Sequence, residues 1–404
     1  MQTVGRSQNR IRGFQSPELD FQLLRVLGVA TSGGSSIGET MYVVNAISEQ
    51  NPRDWVAGFT EMGRRAETLG DAAANRNHPV TARDFYFRAS TYYRSAEYYA
   101  DASTESGEIG RKSRGAFVKA IRSAAVPAEP VQIPYEEKWM PGYFLRPDHS
   151  GRQRKTAVMI SGSDGTSEEI ALAYGFGAVE RGYNVLVLDG PGQMGMYRFH
   201  PEKTFRPDYE VPLGQAISYV VGRPEVDSQK LALLGFSFGG YFVARTAAHD
   251  DRVRAVIPDS PLTDVGPVLA AVLGDLAHKV GRDILVEDID ALPESVISAY
   301  GKPTLKSHVL RFGARSTRAF LAEAEKYKLD EATLRRIECP TLALSSAGEG
   351  EMFRTQWEFY LRSVSGPVTR YEFSASEGAD AHCQMGNPAM YCAVAFDWLD
   401  ELFG

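Results

Sequence analysis

One stretch limits the architecture more than any other: the apolar run Leu231–Leu234, then Gly235-Phe236-Ser237-Phe238-Gly239-Gly240, then YFVARTAAH. The run reads as a buried strand and the segment behind it as a helix. Only a sharp turn can join the two. Glycines at 235 and 239 permit that turn, because a Cβ at either place would strike the neighbouring strand or helix. This is the G-x-S-x-G pattern in its strand–turn–helix setting, which holds a serine Oγ exposed above a sheet. The helix N-terminus behind Ser237 adds amide donors and a positive dipole end, both favourable to a developing oxyanion. Gly34-Ser35-Ser36-Ile37-Gly38 fits the same spacing. It precedes every expected core strand, however, so Ser36 is read as opening a helix.

The rest of the chain supplies the sheet that such a turn requires. Residues 1–125 have helical texture. Thr81 is expected to cap a helix on which Phe85, Ala89, Tyr92, Ala96 and Tyr99 recur at helical spacing, as a packing stripe. Asn51-Pro52 divides the preceding segment into two helices. From residue 126, short apolar runs alternate with helix-length stretches. Val131–Ile133 and Gly142–Leu145 read as an antiparallel pair. Thr156–Ile160, Val185–Leu188, Leu231–Leu234, Arg254–Ile257, Thr341–Leu344 and Thr369–Phe373 read as further strands. Helices at Glu168–Glu180 and Tyr241–Ala248 fall between them. Such alternation predicts an α/β fold with a mostly parallel sheet covered on both faces. It fails once, over residues 261–338, which are helical in period and contain no good strand. The expected organisation is therefore a helical region (1–125), a first part of the core (126–260), a cap inserted over the sheet's carboxyl edge (261–338) and the rest of the core (339–404).

Composition narrows the partners. At 43% hydrophobic and 24% charged, the 404 residues can bury a large core, and the net charge of -7 disfavours nucleic acid. No run approaches the ~18 apolar residues that a membrane-spanning helix needs. Cys339, Cys383 and Cys392 fit neither a disulfide framework nor a zinc pair. A cytoplasmic setting is the expectation.

A serine hydroxyl needs a base, and the base needs an orienting acid. With the chain order serine, acid, histidine, the base belongs after the last strand. His382 lies there, in SEGADAHCQMGNP. His78, His149, His200, His249, His278 and His308 do not follow that strand and are read as structural or surface residues. The acid belongs after Thr341–Leu344, where SSAGEGEMF offers Glu349 and Glu351. By analogy with a G-x-x-D turn, Glu351 is preferred over Glu349, with Asp259 third. Two amides would hold the oxyanion: that of Phe238 and, from the loop Ser161–Gly165, that of Ser163. Asp189-Gly190-Pro191-Gly192 reads as a tight turn after a strand.

GFSFGG, the acidic GEGE turn and GADAHCQMGN, together with FRPDYE (Phe205–Glu210) and RASTYYRSAEYY, resemble one branch of the α/β-hydrolases. That branch includes the fungal yellowish-green pigment hydrolases, 2,6-dihydroxypseudooxynicotine hydrolase and esterases like the fermentation–respiration switch protein. The resemblance runs from about residue 20 onward. It implies cofactor-free hydrolysis of an ester or of a carbon–carbon bond beside a ketone, in a polyketide-like or aromatic molecule of secondary metabolism. It also implies a homodimer. Ser237 and His382 match the branch cleanly, whereas its acid is often Asp, so Glu351 departs from the pattern. A carboxylesterase or lactonase, an acyl-transferring or ring-closing enzyme, and a non-catalytic scaffold are the competing readings.

Overall fold

The computed structural model describes residues 5–8, 11–102, 104–124, 126–273, 276 and 280–404. Five helices come first: α1 (Pro17–Gly28), α2 (Ile37–Val44), α3 (Pro52–Asn75), α4 (Pro79–Tyr99) and α5 (Glu105–Ser123). Local chemistry sets where they start. Ser16 caps α1 by accepting from the Leu19 amide, with Pro17 at the first position and acidic residues in the first turn. The Asn51 side chain does the same for α3, ahead of Pro52. Helix α4 corrects one expectation: it begins at Pro79 behind His78, so Thr81 lies inside the first turn and does not cap it. Proline at the first position has its φ pre-set and no N–H to lose, which outweighs a threonine two residues later. Ser36 occupies the cap position of α2, and its amide donates to Tyr92 Oη. Ala89, Tyr92, Ala96 and Tyr99 pack with Trp55 and Phe59 in the core of this helical layer.

Eight strands follow: β1 (Ala128–Tyr135), β2 (Lys138–Leu145), β3 (Arg154–Ile160), β4 (Asn184–Leu188), β5 (Val226–Phe236), β6 (Ala255–Asp259), β7 (Thr341–Ser346) and β8 (Val368–Phe373). They form one sheet in the order β1-β2-β4-β3-β5-β6-β7-β8. The β1–β2 and β2–β4 pairs are antiparallel, and all pairs from β4 to β8 are parallel. Strands β4, β6 and β7 are buried throughout their length, as parallel strands covered on both faces must be. The two-residue period shows in β3, where Val158 and Ile160 face one core while Ala157 and Met159 face the other.

The helices Glu210–Val221 and Phe238–Ala247 cover one face, and the terminal helix Pro388–Phe403 joins the core on the other. The segment read as a helix over 168–180 is helical throughout, with α-helical turns at Ser167–Ile170 and Phe176–Glu180 on either side of a π turn at Ala171–Gly175. Between β6 and β7, the described residues form the helices Val265–Leu273, Gly301–Arg311, Thr317–Ala324 and Glu331–Leu334 and a 3₁₀ turn at Val286–Ala291. The loops at the carboxyl ends of the parallel strands converge beneath these helices.

Candidate active site

Ser237 joins β5 to the Phe238–Ala247 helix with φ 57° and ψ -122°, a left-handed conformation that costs a non-glycine residue energy. The turn is as tight as the sequence requires. A Cβ at Gly235 would lie 2.1 Å from the Gly239 carbonyl oxygen, and one at Gly239 would lie 2.7 Å from that of Ile160. The loop after β3 comes equally close, since a Cβ at Gly162 would fall 2.7 Å from Ser237 Cβ and 3.1 Å from the Phe238 nitrogen.

That loop is held by its carbonyls. Buried Gln193 donates from Nε2 to the Ser161 (2.7 Å) and Gly162 (3.0 Å) oxygens, while Arg311 donates to those of Ser163 and Gly192. In a trans peptide the N–H points opposite to the C=O, so the Ser163 amide faces away from Gln193. Ser163, Ser237, Phe238 and His382 all line one cavity of about 380 Å³.

His382 opens a 3₁₀ turn after β8, and its Nδ1 lies 2.5 Å from a carboxylate oxygen of Glu349. The expected acid, Glu351, is not the one that meets the histidine. Gly350, with φ 86°, breaks the chain between the two glutamates, and Glu351 starts the helix Glu351–Ser363 with its side chain exposed. A glutamate in a helical first turn is placed by the dipole and looks outward. Glu349 is only 1% exposed. Besides His382, it accepts from Ser260 Oγ at 2.6 and 2.8 Å and from the Ser346 amide at 3.0 Å. A carboxylate held by several donors has a fixed orientation, and it fixes the proton of the imidazole on Nδ1. The Nε2 lone pair is thereby left for another partner. Phe21 and Phe353 pack on the ring.

Asp259, the third candidate acid, lies behind this group at the end of β6. Its Oδ1 accepts from Gln384 Nε2 at 3.1 Å. Burial, aided by the nearby Glu349 charge, raises its pKa well above the ordinary aspartate value.

The amino-terminal segment crosses the site. The Arg6 carbonyl accepts from the His382 amide at 2.9 Å, the Gly5 amide donates to the Glu349 carbonyl at 3.1 Å, and the Arg6 side chain lines the cavity. Behind it, buried ion pairs tie the helical layer to the sheet. Arg25 grips Glu169 (2.9 and 2.7 Å) and Asp164 (2.7 Å). Arg198 grips Glu97 (2.7 and 2.6 Å) and reaches Glu168 at 3.0 Å. Burial alone would raise the Asp164 pKa, but Arg25 and Arg6 outweigh it and hold the carboxyl below its usual range. The opposite wall is apolar and comes from the insertion, with Leu262, Val265, Val268, Leu273 and Phe320.

Of the other histidines, His78 precedes α4, His200 meets the Trp139 ring edge-on, and His249 bonds a backbone carbonyl. His278 lies outside the described residues. His308 belongs to the cavity wall, which the sequence did not indicate. Among the described residues no group of His, Cys, Asp and Glu could hold a metal ion, and no helix is long and apolar enough to cross a membrane.

Comparison with known proteins agrees with this architecture. Residues 48–280 match the family described as esterase FrsA-like. The hydrolyase ccsE of Aspergillus clavatus is 31% identical over 96% of this chain and 97% of its own length. The α/β-hydrolase psoB of Aspergillus fumigatus is 32% identical over 97% and 94%. The α/β-hydrolase pydG of an Acremonium species is 35% identical, but that alignment spans 60% of this chain and 59% of the relative's length. Among solved structures, 2,6-dihydroxy-pseudo-oxynicotine hydrolase superposes with a TM-score of 0.71 at 18% identity, covering 92% of this chain and 94% of that one. At that identity the likeness concerns the fold, which is that of the α/β-hydrolases.

Proposed function

Because the chain belongs to the FrsA-like esterase family, we propose that it is a serine hydrolase in which Ser237 is the nucleophile, His382 the general base and Glu349 the orienting acid. The observation that carries this reading is the buried Glu349–His382 pair on the wall of the cavity that also holds the strained Ser237. In the proposed reaction His382 Nε2 takes the Ser237 proton as Oγ adds to a substrate carbonyl. The oxyanion is held by the Phe238 and Ser163 amides. The bond from the carbonyl carbon to the leaving group breaks, its electron pair goes to the departing oxygen or carbon, and His382 returns the proton there. Water then attacks the acyl-enzyme, gives a proton to His382, and releases the acid and free Ser237.

The cavity supports a bulky, largely apolar substrate. Its volume lies within the range of small-molecule sites, and apolar side chains dominate the wall built by the insertion. The substrate class we propose is an ester, or a ketone cleaved at the adjacent carbon–carbon bond, in a polyketide-like or aromatic product of secondary metabolism.

Hydrolysis of 4-nitrophenyl butyrate and labelling by a fluorophosphonate probe test the reading. Ser237→Ala is expected to abolish both. Glu349→Gln should lower kcat by about 10⁴, the scale seen when an orienting acid is lost, while Glu351→Gln should stay within about twofold. Retention of labelling by folded Ser237→Ala, or a dead Glu351→Gln beside an active Glu349→Gln, would sink it.

A further inference from the structure

His308 is a feature of the cavity wall that neither the triad nor the apolar lining explains. It sits on the Gly301–Arg311 helix of the insertion, across the cavity from the sheet. Its Nδ1 lies 2.8 Å from the Thr304 carbonyl oxygen, one helical turn earlier. A carbonyl can only accept, so Nδ1 must carry a hydrogen. Burial, reinforced by the Arg311 charge, lowers the pKa of this imidazole to about 4, so the ring is neutral near pH 7. A neutral ring with its hydrogen on Nδ1 presents a lone pair at Nε2, which the Ser163 hydroxyl meets only at long range. That atom lies 3.4 Å from Ser163 Oγ, longer than a good hydrogen bond to a hydroxyl.

The lone pair is therefore an acceptor beside the loop proposed to hold the oxyanion. A neutral acceptor there favours a substrate group that can donate a hydrogen bond over one of similar size that cannot. We propose that His308 recognises a hydroxyl group of the substrate, enolic, phenolic or alcoholic, carried near the reacting carbonyl. The proposal rests on the reading of this cavity as the substrate site. It adds a specificity residue on the insertion, which the triad does not require.

Binding to the Ser237→Ala protein tests this without turnover. Titration calorimetry would compare 3′- and 4′-hydroxyacetophenone with their methoxy counterparts. At least one hydroxyl ketone should bind about five- to tenfold tighter than its methoxy partner, the scale of one hydrogen bond. In Ser237→Ala/His308→Ala that ratio should fall to about one. In Ser237→Ala/His308→Gln, whose amide oxygen can reach the place of Nε2, part of it should return. Equal binding of each hydroxyl and methoxy pair, or a ratio that survives His308→Ala, would overturn the proposal. Failure of the triad reading would show separately, as activity remaining in Ser237→Ala.

Discussion

The N-terminal helices and the helices inserted between β6 and β7 both close over the carboxyl edge of one sheet, yet they are fastened differently. The first layer is held by buried ion pairs with forked geometry: Arg198 on Glu97 and Glu168, and Arg25 on Glu169 and Asp164. The second rests on rings and aliphatic chains. Phe312 packs against Phe205, Phe238, Phe320 and Tyr327, and Leu262 and Val265 join the same core. Directional bonds between buried charges admit one arrangement and are costly to break. Apolar packing tolerates substitution of similar volume. One cover thus fixes geometry around Ser237, Glu349 and His382, while the other admits more variation in its packing.

The sharpest way to break the comparison is Arg198→Met. It leaves Glu97 buried without its partner, takes one of two cations from Glu168, and should cost about 3–5 kcal/mol in urea unfolding. A loss below about 1 kcal/mol would mean that the ion pairs do not fasten the layer.

A smaller effect is expected from Arg311→Met. This buried arginine binds only uncharged acceptors among the described residues: the Ser163 and Gly192 carbonyls and Ser307 Oγ. Its loss should cost about 1–3 kcal/mol, the range for unpaired buried polar groups. Because it positions the loop of Ser163, kcat should fall with little change in KM, and Arg311→Lys should restore part of kcat. A loss as large as that of Arg198→Met would erase the distinction between the covers.

The smallest effect concerns acid. His308, half-buried and facing Arg311, Asp164 and Arg6, has its pKa lowered to about 4 and is neutral near pH 7. Between that value and the unfolded value of about 6.5, the unfolded chain binds the extra proton, so stability falls as pH falls. From pH 7 to pH 6, wild type should lose under about 1 kcal/mol more than His308→Gln. Urea midpoints at the two pH values measure the difference, and parallel slopes would show that His308 is not held neutral.

The sequence made the sheet legible because each buried strand is a short apolar run between turns, and even the boundaries fall within a few residues. Ser237 was equally plain, since strand, tight turn and helix are all local patterns. The acid was not. Glu349 and Glu351 differ only in whether the chain has entered its next helix, and the signals for that were present: Gly350 as a break, then the amphipathic EMFRTQWEFYLRS. The analogy with a G-x-x-D turn overrode them. Pro79 likewise announced the start of α4 more clearly than Thr81 did. Arg6, Gln193, Ser260 and His308 carry no local pattern. They reach the site only through contacts between distant segments, which a single sequence does not display.

The course of residues 5–8 bears on how the protein should be handled. Gly5 and Arg6 bond to the backbone of Glu349 and His382, so a group attached just ahead of Gly5 would be tethered close to His382. The carboxyl end is better placed. Gly404 is exposed at the far end of the Pro388–Phe403 helix, and sixteen residues at 1.5 Å each carry it roughly 24 Å along that axis. Purification handles, surface anchors and fluorescent fusions belong there.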